Sequence, residues 1–211
     1  MTSNAAQMKV ANDVILDGRL ALFHQQHQWL AVADLHFGFE LSQRAAGSLF
    51  PLWGMQTIQA RLEELLSDYN PAFLVMVGDL VHDRTAVNPL AALVRDLTRR
   101  TEVVLIAGNH DRKLAPDVNV QPLWRIDGFC FHHGHCEVET ADEIQVIGHH
   151  HPAQTVRDGA GLRLKLPAFV QQDRCWIMPA FSPWAAGTPW PNEDGARIWL
   201  CSPNRIMRLH M

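Results

Sequence analysis

Short clusters of aspartate, asparagine and histidine, most of them at the end of an apolar run, constrain this chain more than any other feature. The apolar runs are typical of buried strands, and the residues that follow are oxygen and imidazole donors that bind metals. Because strand ends can converge on one edge of a sheet, donors far apart in sequence can meet in space. The clusters are Asp34-Leu35-His36, Gly78-Asp79, Gly108-Asn109-His110-Asp111, His133-Gly134-His135 and Gly148-His149-His150-His151.

The donor set indicates two divalent metal ions rather than one structural zinc. It contains no thiolate, and the four cysteines of the chain lack the paired CxxC spacing of a zinc site. Mixed oxygen and imidazole sites suit Mn²⁺, which is the expected metal, with Fe, Zn, Ni and Co as alternatives. Two cations about 3.5–4 Å apart can hold a hydroxide and grip phosphoryl oxygens, so the sequence predicts a hydrolase of phosphate esters.

Length and composition predict one domain that spans residues 1–211 and carries no membrane segment. With 211 residues and 47% hydrophobic content, the chain can bury one core and is short for two. No export signal precedes the first strand, and the apolar runs are too short to cross a bilayer, which predicts a cytoplasmic protein with free thiols. A net charge of -4 argues against nucleic-acid binding by bulk positive charge, although bound cations would change the field locally.

The first half of the chain alternates between strand and helix patterns, which implies parallel strand pairing with crossover connections. The second half consists of short apolar segments divided by Gly, Pro and Asp, without a long amphipathic helix. We therefore expect an α/β fold in which two sheets pack together and helices cover the outside. Predicted strands are Val14–Leu16, Leu20–Phe23, Trp29–Ala33, Ala72–Val77, Val103–Ala107, Phe129–His132, Ile144–Ile147, Leu162–Leu166, Trp176–Met178, Ala196–Leu200 and Ile206–Leu209, and predicted helices are Gly54–Tyr69 and Pro89–Arg100.

Residue spacing separates ligands from neighbours in two of the clusters. Asp34 and His36 are two apart, so on extended backbone their side chains point to the same side. His149 and His151 have the same spacing, and we predict them as ligands and leave His150 out. This spacing does not separate His133 from His135, because both would lie on one side.

Two further clusters, each at the end of a predicted strand, supply two more metal ligands and a proton donor. Gly78 and Gly108 permit a sharp turn, which brings Asp79 and Asn109 close to a metal, and the Asp79 carboxylate can bridge two cations. We predict that His110 protonates the leaving alkoxide as a general acid. Asp111 is predicted to orient that histidine and keep it protonated.

Together these segments resemble the calcineurin-like metallophosphoesterase superfamily, whose pattern is DxH, GDxx(D/H), GNH(D/E), HGH or a lone H, and GHxH. All five elements occur in order over roughly residues 30–152. The resemblance implies a four-layer α/β/β/α sandwich, favours His133 over His135, and matches His110 to the catalytic histidine of the family. It implies one metal on Asp34, His36 and His151, a bridge through Asp79, and a second metal on Asn109, His133 and His149.

A narrower resemblance points to DNA as the substrate. The segments Ala33–Glu40, Gly78–Asp83, Ile147–Ala153 and Met178–Ser182 are similar to the bacterial ligase-associated DNA-damage-response phosphoesterase group. Its members are metal-dependent DNA endonucleases, often encoded beside a DNA helicase and a DNA ligase. The resemblance therefore implies a repair endonuclease that associates with these two enzymes.

Other interpretations stay open. The acidic net charge favours a small-molecule phosphodiesterase or phosphomonoesterase on the same metal centre. A non-catalytic metal-binding adaptor is the non-enzyme alternative. Beyond the clusters, His82 is either a cleft residue or a support, Trp184 and Trp190 are candidates for the rim of the cleft, and Arg112 is the first candidate for a contact with substrate phosphate.

Overall fold

Two β-sheets pack face to face in this protein, as the sequence predicts. The computed structural model describes residues 5–111, 114, 118–140, 142–157, 159–191 and 195–209. Arg112 lies outside the described residues. The four cysteines are free, in agreement with the prediction. No described helix is long and apolar enough to cross a membrane.

The first sheet holds seven strands in chain order, antiparallel from β1 to β4 and parallel from β4 to β7. The parallel part arises because helical crossovers connect β4 to β5 and β5 to β6. Its strands are β1 (Gln7–Lys9), β2 (Val14–Asp17), β3 (Ala21–His24), β4 (Trp29–Ala33), β5 (Phe73–Val77), β6 (Glu102–Ile106) and β7 (Val120–Gln121).

Three α-helices of the described residues connect these strands. They are α1 (Phe39–Ala45), α2 (Gly54–Tyr69) and α3 (Val87–Leu97), the last preceded by one turn of 3₁₀ helix (Arg84–Ala86). In α2 the apolar residues Ile58, Leu62, Leu65 and Leu66 recur at helical spacing and are buried, and the helix stops before its C-cap Asn70, whose backbone is left-handed with φ 42°. The predicted bounds of α2 are confirmed, whereas α3 begins and ends earlier than predicted and α1 was not predicted.

The second sheet has the order β14-β11-β12-β13-β10-β9-β8, and the hairpin of β15 and β16 pairs with β12. The strands β9, β10 and β13 run parallel. The strands are β8 (Leu123–Ile126), β9 (Phe129–His132), β10 (Ile144–Ile147), β11 (Pro152–Arg157), β12 (Arg163–Gln172), β13 (Cys175–Ile177), β14 (Thr188–Pro189), β15 (Arg197–Ser202) and β16 (Arg205–Leu209).

Successive side chains of each strand point to opposite faces of the sheet, and this divides the core into layers. In β5, Val75 and Val77 face the second sheet, whereas Leu74 and Met76 face the helices α2 and α3. Phe131 of β9 and Trp29 of β4 meet between the sheets with ring centroids 5.0 Å apart. A third cluster lies on the outer face of the second sheet, where no described helix packs, so the helical layer of the described residues covers the first sheet only.

Truncation of Phe131 tests the packing between the sheets. The side chain is fully buried, so Phe131→Ala should lower the free energy of unfolding by about 3–5 kcal/mol, because it removes contacts and leaves a cavity. Leu164→Ala, at a half-exposed side chain, is the control and should change it by less than about 0.5 kcal/mol. Equal effects in urea denaturation would contradict this arrangement.

Candidate metal centre

The predicted ligands lie where parallel strands of both sheets end. Asp34 follows β4, Asp79 follows β5, Asn109 follows β6, and the histidine clusters follow β9 and β10. The two sheets are joined at this edge, because a parallel bridge links Ala33 to Ala180 beyond β13. Five loops that the sequence places far apart therefore meet in one place.

Left-handed backbone shapes these loops. The φ angle is positive at five of the predicted ligands, Asp34 (52°), His36 (42°), Asp79 (44°), His149 (67°) and His151 (46°). The prediction that each ligand pair lies on extended backbone is therefore wrong, although the side chains of each pair do converge. Each left-handed residue costs about 1–2 kcal/mol, and such strain persists only where the surrounding contacts hold it.

Hydrogen bonds between the first two loops supply some of those contacts. The backbone N–H of Asp34 donates to the carbonyl of Gly78 at 3.2 Å, and that of His36 donates to the carbonyl of Asp79 at 2.9 Å. The N–H of His149 donates to the Asp34 carboxylate, 2.9 Å from Oδ2. The ligands are thus tied to one another through their own backbone.

Asp34 and Asp79 are at the centre of the side-chain cluster. Both are buried, and Asp34 Oδ1 lies 3.3 Å from His151 Nε2 and 3.6 Å from His133 Nδ1. The two oxygens of Asp79 face different rings, with Oδ1 3.4 Å from His133 Nε2 and Oδ2 3.8 Å from His36 Nε2. A carboxylate with this orientation is suited to bridge two cations.

The second group of predicted ligands adjoins the first through His133. Its Nε2 lies 3.1 Å from Asn109 Oδ1 and 3.2 Å from His149 Nδ1. His133 is buried beside both carboxylates, whereas the neighbouring His135 is exposed, so the structure separates two histidines that spacing alone could not. His150 is exposed, and its ring lies 5.3 Å from that of His149 and 5.7 Å from that of Trp190.

Three glycines make room for the ligands. A Cβ added at Gly78 would overlap the His133 ring, one at Gly108 would overlap the backbone and carboxylate of Asp79, and one at Gly148 would overlap the Asp34 carboxylate. The sequence predicted a sharp turn at Gly78 and Gly108, and Gly78 has a positive φ of 71°, but the close packing at the three glycines was not predicted. Each of these glycines packs against a ligand that comes from another loop.

The donor set fits a pair of divalent cations. Buried ring nitrogens of His36, His133 and His151 lack hydrogen-bond partners, although buried polar atoms are normally paired. Of these atoms, His133 Nδ1 and His151 Nε2 face Asp34 Oδ1 at 3.6 Å and 3.3 Å without forming a hydrogen bond. A set of lone pairs and carboxylates that face each other in this way is what hard or borderline divalent ions bind.

The charge states of His36 and Asp79 also favour metal binding. Burial lowers the pKa of His36 to about 4, so its ring is neutral at pH 7 and has a free lone pair. Burial raises the pKa of Asp79, but hydrogen bonds from His133 and from the His110 N–H outweigh it and bring the pKa below the ordinary value. The carboxylate is therefore negative in neutral solution.

His110 lies at the open side of the cluster. Its side chain is 42% exposed, and Nε2 lies 4.0 Å from Asp79 Oδ2. The other ring nitrogen, Nδ1, donates to the carbonyl oxygen of His82 at 3.3 Å, and the backbone N–H donates to Asp79 Oδ1 at 3.0 Å. His82, rather than Asp111, orients the ring.

The predicted contact between Asp111 and the His110 ring is wrong. The Asp111 carboxylate is buried and accepts hydrogen bonds from the backbone N–H groups of Gly108 (2.8 Å), Leu80 (3.1 Å) and Val81 (3.2 Å). It therefore ties the loop after β6 to the loop after β5. A carboxylate that follows a histidine in sequence can reach backbone donors on a neighbouring loop instead, and spacing does not distinguish the two cases.

The segment Met178–Ser182 supports the metal centre through backbone hydrogen bonds. The N–H of Phe181 donates to the carbonyl of Ala33 at 2.7 Å, and that of Ser182 donates to the carbonyl of Asp34 at 3.2 Å. In the sequence, only the narrow resemblance singles out this segment. It holds no predicted ligand, and its role arises from backbone hydrogen bonds that no residue pattern encodes.

A family model of the calcineurin-like phosphoesterases matches residues 29–206. The chain belongs to this family. It is therefore a metal-dependent phosphoesterase with the α/β sandwich of the metallophosphoesterases, and the predicted class, an α/β sandwich of two sheets, is confirmed, with the described helices on the first sheet only.

Solved structures add a relative of similar size. The crystal structure of Pseudomonas putida nuclease MPE aligns with a TM-score of 0.75 and 25% identity, covering 97% of this chain and 100% of that chain. YfcE, a phosphoesterase from E. coli, aligns with a TM-score of 0.46 and 14% identity over 86% of this chain and 97% of that chain. No curated protein sequence is significantly similar to this one.

Adding a methyl group at Gly108 tests the close packing of this residue against Asp79. Gly108→Ala should weaken Mn²⁺ binding at least tenfold in isothermal titration calorimetry, because the added carbon would displace Asp79. Gly128→Ala is the control: its φ of 81° makes alanine strained, but nothing lies within 4 Å of the added carbon. The control should lose stability without loss of metal affinity, and equal affinities for both variants would contradict the proposed contact.

Proposed function

We propose that this metal-dependent phosphoesterase is a two-metal phosphodiesterase that cuts DNA, and that it acts as an endonuclease in DNA repair. The observation that carries the proposal is the likeness to the Pseudomonas putida nuclease over nearly the full length of both chains. The four segments that resemble the DNA-damage-response group support it, and three of them meet at the metal centre. Cooperation with a DNA helicase and a DNA ligase is proposed from that resemblance alone.

One metal is proposed to bind Asp34, His36 and His151, and the other Asn109, His133 and His149, with Asp79 between them. Asp34 and Asp79 lie within 4 Å of histidines of both sets, which supports a shared centre. Mn²⁺ is the proposed ion, because the donors are oxygens and imidazoles. When bound, such a pair of ions lowers the pKa of a water and neutralises phosphoryl oxygens.

The side chains around the centre perform the remaining steps. His110 is fixed by the His82 carbonyl at Nδ1, which leaves Nε2 free to protonate the leaving oxygen of the ester. Because the His110 side chain is exposed, a DNA strand can approach it from solvent. Asp111 is proposed as a positioning residue, because it holds the loop that carries Asn109 and His110 against the loop that carries Asp79.

The net charge of -4 favours a second candidate, a phosphoesterase of small molecules on the same centre. Long polyanions would be repelled by an acidic surface, whereas a small ester would need only the metals. A metal-binding adaptor without turnover is the third candidate.

A substrate panel separates the three candidates. With Mn²⁺, the wild-type protein should nick plasmid or single-stranded DNA, and EDTA should abolish cleavage. Turnover of an aryl diester, an aryl monoester or a cyclic nucleotide without DNA cleavage would indicate the small-molecule enzyme, and metal uptake without any turnover would indicate the adaptor. Asp79→Asn should abolish nicking, because it removes the charge shared by both metal positions.

Replacement of His110 separates acid catalysis from metal binding. His110→Asn should reduce the turnover number for DNA by about 10²–10⁴-fold, the usual size of a general-acid effect. Metal content, measured by mass spectrometry, should equal that of the wild type, since the ring is not among the proposed ligands. His150→Asn, at an exposed histidine between two proposed ligands, is the control and should keep both properties. Wild-type turnover of the His110 variant would remove the proposed acid.

A further inference from the structure

Beside the metal centre lies a group of aromatic side chains that the proposed mechanism does not use. We define the aromatic platform as Phe39, Phe50, Trp53 and Trp184. These residues come from the start of α1, the loop before α2, and the loop before β14. The ring of Trp184 is at the middle, with centroids 4.2 Å from Trp53 and 4.7 Å from Phe50.

The platform is continuous with the rings of the candidate active site. The ring of His110 stacks at 24° on that of His82, with centroids 5.9 Å apart. The His82 ring lies 4.7 Å from that of Phe39, which in turn stacks at 29° on Trp184 at 6.2 Å. A path of rings thus leads from the proposed acid outwards to Trp53.

A buried carboxylate holds the platform in place. Glu40 is fully buried and its Oε2 accepts a hydrogen bond from Trp184 Nε1 at 3.0 Å, while Oε1 accepts one from the N–H of Met55 at 2.6 Å. A Cβ at Gly54 would overlap the Trp184 indole, so α2 must begin with glycine for the ring to fit. An indole that is fixed in this way loses little freedom when a ligand stacks on it.

The outer end of the platform is open to solvent. Trp53 is 44% exposed, and Leu49 in the same loop is 100% exposed. Two exposed arginines lie on the neighbouring elements, Arg44 in the last turn of α1 and Arg84 in the 3₁₀ turn after His82. Large fixed rings next to positive charge are the features that bind unpaired nucleotides, since bases stack on the rings and phosphates meet the charges.

We infer that the aromatic platform is a base-stacking subsite for unpaired nucleotides next to the bond that is cut. The inference rests on the proposed function, because it assigns the platform to the strand on which the metal centre acts. Stacking requires a free base face, so the substrate must be single-stranded or locally unpaired there. A protein partner on the exposed apolar loop is the competing occupant.

Trp53→Ala tests the subsite and keeps the hydrogen bonds of this residue to α2, because its backbone carbonyl accepts them from the N–H and the hydroxyl of Thr57. Binding of a fluorescein-labelled oligothymidylate, followed by anisotropy in EDTA, should weaken about 5-fold or more, the size of one lost base stack. A strand of the same length without bases should bind the variant and the wild type equally. Trp53→Phe should retain most of the affinity, and Leu164→Ala, at a half-exposed apolar side chain of β12, should behave as wild type.

Failure of the subsite and failure of the proposed function give different results. Unchanged oligothymidylate binding by Trp53→Ala, or equal weakening for the strand without bases, would overturn the subsite and leave the loop to a protein partner. Hydrolysis of methyl p-nitrophenyl phosphate with Mn²⁺ reports on the metal centre alone and should be the same in Trp53→Ala and wild type. Absence of all diester hydrolysis in the wild type would overturn the proposed function, whatever the binding assay shows.

Discussion

The buried contact of two carboxylates, Asp34 and Asp79, with the ring of His133 is the interaction on which the rest of the centre depends. It joins loops of the first sheet to a loop of the second, at distances of 3.4–3.6 Å. Two carboxylates buried side by side repel each other and lose hydration, so they require positive charge between them. The ring of His133 would supply such charge when protonated, and divalent cations would supply more.

Packing and hydrogen bonds around that contact offset the free-energy cost of burying the two carboxylates. Two apolar layers fix the strands β4, β5, β9 and β10, and left-handed residues turn the chain inwards directly after the strands. Glycines at three of these turns let one loop pack against a proposed ligand on another. Asp111 then locks two loops together by accepting three backbone hydrogen bonds. Core packing thus maintains a strained and highly charged rim.

Much of the fold and of the centre could be predicted, because strand and helix periodicity are local properties. The strand Trp29–Ala33 and the helix Gly54–Tyr69 have the predicted bounds. The proposed ligands and their order also follow from short motifs. The contact made by Asp111 could not be predicted, since a carboxylate beside a histidine can bond either the ring or a neighbouring loop. The hydrogen bond of Glu40 with Trp184 could not be predicted either, because 144 positions separate them.

By itself the sequence determined the kind of donors, their positions at strand ends, and an α/β sandwich of two sheets, because hydrophobic alternation and donor chemistry are encoded residue by residue. Only the tertiary structure decided that His133 rather than His135 meets the carboxylates, and that four aromatic rings adjoin the site. The direction of a side chain in a left-handed loop depends on what packs against it. That packing exists only when both sheets and their loops are in place.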